Sequence, residues 1–439
     1  MNTRRLLAIR DARLYLLGQA FSLLGDSALW LAMGIWVKTM TGSNAAAGLV
    51  FFFFTAPALL APLSGLLVDR VRRRPLLIVT NMFAAGAVLL LLLVHGPGQV
   101  WLVYLVMALY GLAYSVLGTG QSALLTVMVP DDLLADANGA LRTVQESLRL
   151  IGPLGGAGLF VLVGAHAVAV LDAATFAVPV ICLAALRVAE PRRQRSEGHW
   201  RAEVLAGLSY LANTPVLRQL VITCACALTV FGFSETIIFA IAGQGLHRPP
   251  AFVGVLVAVQ GAGALLGGPT AAPLIRRIGE GRAVGVALLV AAAGAVLVMP
   301  PVLPVVIAGV VLFGIAIPWL VVAFTTLIQR RTPARLQGRV YAAADALVTT
   351  PQTISIALGA ALIGVAGYRI LLGVMAAVIT VAAGYLLSRP EQRRARRLPT
   401  AGPVTTAGPV TTAAPGPAAG AAPASDISFA AEPSRPYGR

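Results

Sequence analysis

Residues 64–75 read Ser-Gly-Leu-Leu-Val-Asp-Arg-Val-Arg-Arg-Arg-Pro, or SGLLVDRVRRRP. The chain on either side is almost purely apolar, FFFFTAPALLAPL over 51–63 and LLIVTNMFAAGAVLLLLLV over 76–94. A short charged turn between two such runs reads as a loop between two membrane crossings.

The composition agrees. Of 439 residues, 58% are hydrophobic and 11% charged. A soluble globular chain carries about a quarter charged residues. These charges cannot cover a water-facing surface of this size, so lipid is the expected solvent. The net charge of +16 is scattered in short clusters between apolar runs. Nucleic-acid binding needs a basic patch on a soluble domain, so no nucleic-acid partner is expected. Cys182, Cys224 and Cys226 lie inside apolar runs and read as packing residues. Cys-X-Cys without a neighbouring His or acid is a poor metal site. The single lysine, Lys38, follows Val37, whereas a P-loop needs Gly-Lys-Ser/Thr. No catalytic constellation appears either. The expectation is a non-enzyme without metal, cofactor or ATP engine.

Apolar runs of spanning length (about 20 residues) recur near 13–37, 46–67, 75–95, 100–121, 139–164, 166–188, 217–242, 250–274, 282–299, 303–327, 339–364 and 366–388. Twelve crossings make an all-α membrane protein. The first run has no small-residue cleavage site and reads as a retained helix. With the N-terminus cytoplasmic, nearly all arginines fall on the inner side. These include Arg4, Arg5, Arg10 and Arg13, the cluster at 70–74, Arg276, Arg277 and Arg282, Arg330, Arg331, Arg335 and Arg339, and the run at 389–397. The outer side keeps Lys38, Arg248 and Arg369. This positive-inside bias places a multi-pass protein in the cell membrane with both termini cytoplasmic.

Composition also divides the chain. Residues 1–188 and 216–390 each hold six crossings. The stretch 189–215, with PRRQRSEGHW, reads as a cytoplasmic linker. Residues 391–439 are rich in Ala, Pro and Gly, repeat AGPVTT, and read as a disordered cytoplasmic tail. The halves look related: Gly48 aligns with Gly254, Arg70 with Arg276, and Pro130 with Pro333. Parallel six-helix repeats about an axis normal to the membrane are one transporter architecture.

With these residues in place, the chain resembles the major facilitator superfamily. The loop motif of that family, Gly-x-x-x-Asp-Arg/Lys-x-Gly-Arg-Arg/Lys, is matched by Gly65, Asp69, Arg70, Arg73 and Arg74. Arg72 replaces the second glycine, and the second-half copy keeps Arg276 and Arg277 but has Ile275 for the acid. The resemblance implies two six-helix halves related by a pseudo-two-fold axis normal to the membrane. It also implies a conformational latch, with Asp69 at the positive end of the eleventh helix, near Arg339. In the fifth helix, Gly152, Pro153 and Gly156 look like the antiporter signature Gly-Pro-x-x-Gly-Gly, with Ala157 for the last glycine. The stretches SLLGDSALWLAMGIWVKTMTGSNAAAGLVF, VMVPDDLLADANGAL and LDAATFAV resemble the macrolide-efflux and enterobactin-exporter-like branch.

An ionisable residue deep in a span costs roughly 2.5–3.5 kcal/mol on insertion scales, so each asks for a reason. Asp26 shares one helical stripe with Gln19, Ser22, Trp30 and Met33. The resemblance implies that helices 1, 4, 7 and 10 line the cavity. Helix 4 then adds Tyr110, Tyr114 and Gln121, helix 7 adds Glu235 between Phe231 and Phe239, and helix 10 adds Trp319. Carboxylates among aromatic rings suit a lipophilic cation, and a desolvated carboxylate is a candidate proton carrier. Asp26 and Glu235 are the proton-coupling candidates. Asp172, near the outer end of helix 6, reads as a packing or capping residue. Arg142, Glu146 and Arg149 share a face at i, i+4 and i+7. Arg142 falls opposite Asp345 by the repeat offset, and the four read as an inner charge network.

The expectation is a monomeric secondary transporter that exports hydrophobic drugs, antibiotics or secondary metabolites against protons. Two alternatives stay open. One is export of a siderophore or other anionic metabolite, which would shift weight to Arg142 and Arg149. The other is a non-transporting membrane sensor or scaffold.

Overall fold

The first reversal of the chain is written in local chemistry. Helix α1 (Arg10–Thr41) stops at Gly42, which adopts a left-handed φ of 68° and returns its N–H to the Lys38 carbonyl. Glycine takes that conformation without a Cβ penalty. The Lys38 ammonium donates to the Gly42 carbonyl at 2.5 Å, a cation at the negative end of the helix. Ser43 then caps α2 (Asn44–Thr55), its hydroxyl accepting the Ala46 N–H at 3.2 Å.

The computed structural model describes residues 3–60, 71–130, 133–186, 200–333 and 336–394. These are helical almost throughout, with no strand among them. Helices α3 (Arg73–Leu89) and α4 (Val100–Met128) follow. Leu134–Thr175 is one helical run broken at Gly164; α5 is 134–163, and α6 is 165–175 continued by Ala177–Ala185. Next come α7 (Pro215–Phe231, continued by Ser234–Ala240), α8 (Phe252–Ile278), α9 (Glu280–Leu297) and α10 (Leu303–Arg331). Gln337–Ser388 is again one run, broken at Gly367 into α11 (337–366) and α12 (368–388). Short helices Thr3–Ala8 and Trp200–Asn213 flank the first half.

Nine of the described helices are long and apolar enough to cross a membrane, and Asn44–Leu59 is a shorter apolar one. Two of the nine carry a break and make two crossings each, and with Asn44–Leu59 as the second crossing the described residues give twelve, in the order read from the sequence. Leu162, Ile181, Val365 and Val381 point largely outward, as lipid-facing side chains do.

The breaks reveal the repeat. Gly164 has φ 80° and ψ 173°; Gly367 has φ 72° and ψ 159°. The interval between them equals that between Pro130 and Pro333. Essentially only glycine occupies this region. Each half therefore reverses between its fifth and sixth helices with the same glycine in the same conformation.

Three apolar clusters hold the bundle. One lies within the first half, around Leu29, Met107 and Phe176. A second lies within the second half, around Leu220, Phe313 and Met375. The third draws on both halves: Leu31, Ile35, Ala47, Phe51 and Ala157 from the first, Phe239, Ala242, Val253 and Ile356 from the second. Its members sit toward the arginine-poor face, the one carrying Lys38, Arg248 and Arg369. Of the earlier readings, Gly65, Asp69 and Arg70, the linker over 189–199 and the tail beyond 394 lie outside the described residues.

Candidate functional site

Asp26 stands at the midpoint of α1, half-buried. The Tyr110 hydroxyl, from α4, donates to its Oδ1 at 2.5 Å. Tyr110 is buried, and its ring packs edge-on against Phe176 of α6 and tilted against Phe54. A phenol held by apolar rings on both sides has its O–H aimed by packing, so the carboxylate is oriented rather than free to rotate. Of the stripe on α1, Gln19, Ser22 and Met33 are buried, and Trp30 is half-buried with its ring 4.6 Å from that of Phe51. The stripe is therefore a packed face whose open part is centred on Asp26 and Trp30.

Small residues bring the neighbours of Asp26 close. A Cβ on Gly25 would collide with Asp172 Oδ1 and Thr175 Oγ1 of α6. On the α5 side, Gly152 lies against Ser27 and Gly156 against the Ala28 backbone. Both glycines belong to the Gly-Pro stretch singled out in the sequence, and Pro153 is buried between them. This is small-residue packing of membrane helices, and it clamps α1 on both sides of Asp26. Asp172 is 1% exposed, and its carboxylate lies within electrostatic reach of Asp26 and Tyr110. The sequence reading gave Asp172 a packing or capping role. Its helix face is legible in a sequence, but which helix that face meets is not.

Above this cluster, toward the arginine-poor face, the halves meet. The rings of Phe51 and Phe239 stack at 6.1 Å. Phe239 is thus buried in the contact between halves, away from Asp26. Glu235 is half-buried in the first turn of the second segment of α7, next to Thr236, which lies against Gly48 of α2. Phe51 carries much of this contact, and the reading of helices 1, 4, 7 and 10 passed over it because it stands on α2.

The remaining cavity candidates are spread more widely. Tyr114 is exposed one turn beyond Tyr110, with its ring 5.5 Å from Phe54, and Gln121 is half-buried on the same helix. Phe231 packs 5.4 Å from Phe313 inside the second half, beside a small apolar pocket lined also by Ala227, Ala291 and Ile317. Trp319 faces α8: its indole N–H donates to the Gly267 carbonyl at 3.0 Å and to Thr270 Oγ1 at 2.8 Å.

At the arginine-rich face, Arg73 is buried at the start of α3. Arg74 Nη2 donates to the Ala184 carbonyl at 2.6 Å, placing a cation at the negative end of α6. The backbones at Arg142, Glu146 and Arg149 are helical, but their side chains lie outside the described residues. Asp345 is exposed on α11, its backbone carbonyl accepting from Thr349. Glu280, buried at the start of α9, pairs with Arg330 of α10 at 2.5 Å.

Comparison with known proteins places this arrangement. A Bacillus subtilis (strain 168) protein named as the uncharacterized MFS-type transporter YfiS is 26% identical over 336 residues, covering 72% of this chain and 77% of that one. Macrolide efflux protein A of Streptococcus pyogenes is 22% identical over 256 residues, covering 57% and 63%. The crystal structure of the nucleoside transporter NupG superposes with a TM-score of 0.69 at 13% identity, covering 86% of this chain and 99% of that one. The sequence model of one family matches twice, over residues 15–242 and 226–427, and together the two matches cover nearly the whole chain. The chain is a multi-pass membrane transporter and belongs to the Major Facilitator Superfamily.

Proposed function

We propose that this transporter exports hydrophobic compounds (drugs, antibiotics or secondary metabolites) in exchange for protons, with Asp26 as the exchanging carboxylate. The observation that carries the reading is the carboxylate itself, at the midpoint of α1, held by the Tyr110 hydroxyl and close to Trp30. A lipophilic cation gains from an ionised carboxylate beside aromatic rings. A proton removes that charge. Compound and proton therefore compete for one group, and competition at a site reached alternately from each side is exchange. The likeness to a macrolide efflux protein supports export, as does the antiporter-like packing of Gly152 and Gly156 on α1. In this reading the arginine-rich face is cytoplasmic, both termini lie there, and the apolar cluster around Phe51 and Phe239 closes the outer side.

The test uses inverted membrane vesicles whose lumen is acidified by respiration. Lipophilic cations, macrolides and neutral antibiotics are added in turn, and the lumenal proton is followed by dye fluorescence. Proton release triggered by a compound and absent from vesicles without the protein supports the reading. No release with any of them, from correctly folded protein, contradicts it.

A further inference from the structure

Asp172 is the most isolated acid among the described residues. It is 1% exposed, and neither carboxylate oxygen has a hydrogen-bond partner. A buried polar group of this kind nearly always has one, and a buried charge is nearly always paired. Its Oδ1 rests against Gly25, the residue before Asp26. Among the described residues, the groups that face the pair are Tyr110 from α4 and Thr175 from α6. The Thr175 hydroxyl is committed to the Asp172 backbone carbonyl at 2.6 Å, and the Tyr110 hydroxyl to Asp26. Among the described residues neither carboxylate is ion-paired. A buried acid and a half-buried one thus lie on adjoining helices with no described cation between them, and like charges so placed disfavour each other's ionised form.

We infer that Asp26 and Asp172 form one site, between α1 and α6, that holds a single monovalent cation, either a proton or a sodium ion. This rests on the reading of Asp26 as the exchanging carboxylate. Asp172 supplies the open acceptor oxygens, and Tyr110 holds the Asp26 carboxylate one residue from the Gly25 approach. The pair binds one positive charge as a unit.

The site can be read without any transported compound. Infrared difference spectra of the purified full-length protein, on acidification in choline chloride, report the carbonyl stretch of buried protonated carboxyl groups. The wild type is expected to give one such band, which Asp26→Asn and Asp172→Asn each remove or displace. Suppression of the band by sodium chloride identifies sodium as the competing occupant, and indifference to sodium identifies the proton. A band lost in Asp26→Asn but untouched by Asp172→Asn overturns the shared site, as does a wild type with no band at any pH. Should Asp172→Asn fail to fold, Asp172→Glu, which keeps the acid but lengthens it, must displace the band. Failure of the vesicle assay leaves this result standing, and failure here leaves Asp26 as a lone carrier.

Discussion

Gly48 of α2 and Gly254 of α8 occupy matching places in the two halves, and each is pressed against the opposite half. Gly48 lies on Thr236 of α7, and Gly254 on Ala157 of α5, where a Cβ at Gly254 would stand 2.5 Å from the Ala157 Cβ. The halves therefore close on the arginine-poor side through two backbone approaches related by the internal repeat.

Gly254→Val places bulk in that approach. Overpacking costs typically ~1–3 kcal/mol, or about one to two powers of ten in an equilibrium. Distances between spin labels on α2 and α8, at their arginine-poor ends, should shift toward the separated population, and transport should fall by about tenfold or more. Gly158→Val, at a helical site with open space around it, serves as the control and should shift neither.

Tyr110→Phe keeps the ring and removes the donor to Asp26. A hydrogen bond to a charged group contributes ~1.5–3 kcal/mol, so proton-driven transport should fall about tenfold or more. Exchange of labelled for unlabelled compound in the same proteoliposomes should persist, because the fold is intact.

Gly164→Ala and Gly367→Ala force a Cβ into a backbone region that costs roughly 1–3 kcal/mol for other residues. Each should lower the thermal unfolding midpoint by a few °C. Matched losses from the two would show that both halves depend on the same reversal.

Trp319→Phe removes the indole donor that ties α10 to Gly267 and Thr270 of α8. The expected loss is about 1 kcal/mol of stability, seen as a lower unfolding midpoint. Half-saturating compound concentration in the vesicle assay should stay within about twofold, since the indole faces α8.

The twelve crossings were legible because lipid imposes long apolar runs, and arginine placement gave the sidedness of the reading. The alignment of Gly48 with Gly254 was legible as repetition, but not as contact between halves, since a glycine carries no sign of what approaches it. Asp26 was singled out because a carboxylate at mid-span is costly. Asp172, equally costly, read as a packing or capping residue, because the approach of its carboxylate to Gly25 depends on how α1 and α6 pack. Trp319 was read by its position on a cavity-lining helix, whereas its N–H points to a carbonyl on a neighbour. Periodicity within one helix gives a face, and only packing decides what that face meets.

The central claim is that compound and proton exchange at Asp26. The most direct test takes a compound that releases protons in vesicles and places wild-type protein or Asp26→Asn in proteoliposomes. Uptake driven by an imposed proton gradient is compared with exchange of labelled for unlabelled compound. The account predicts that Asp26→Asn loses gradient-driven accumulation, and that whatever compound-for-compound exchange it keeps no longer depends on pH, as exchange by the wild type does. Accumulation at the wild-type level in Asp26→Asn would contradict it and move the coupling site elsewhere, with Glu235 the next to replace.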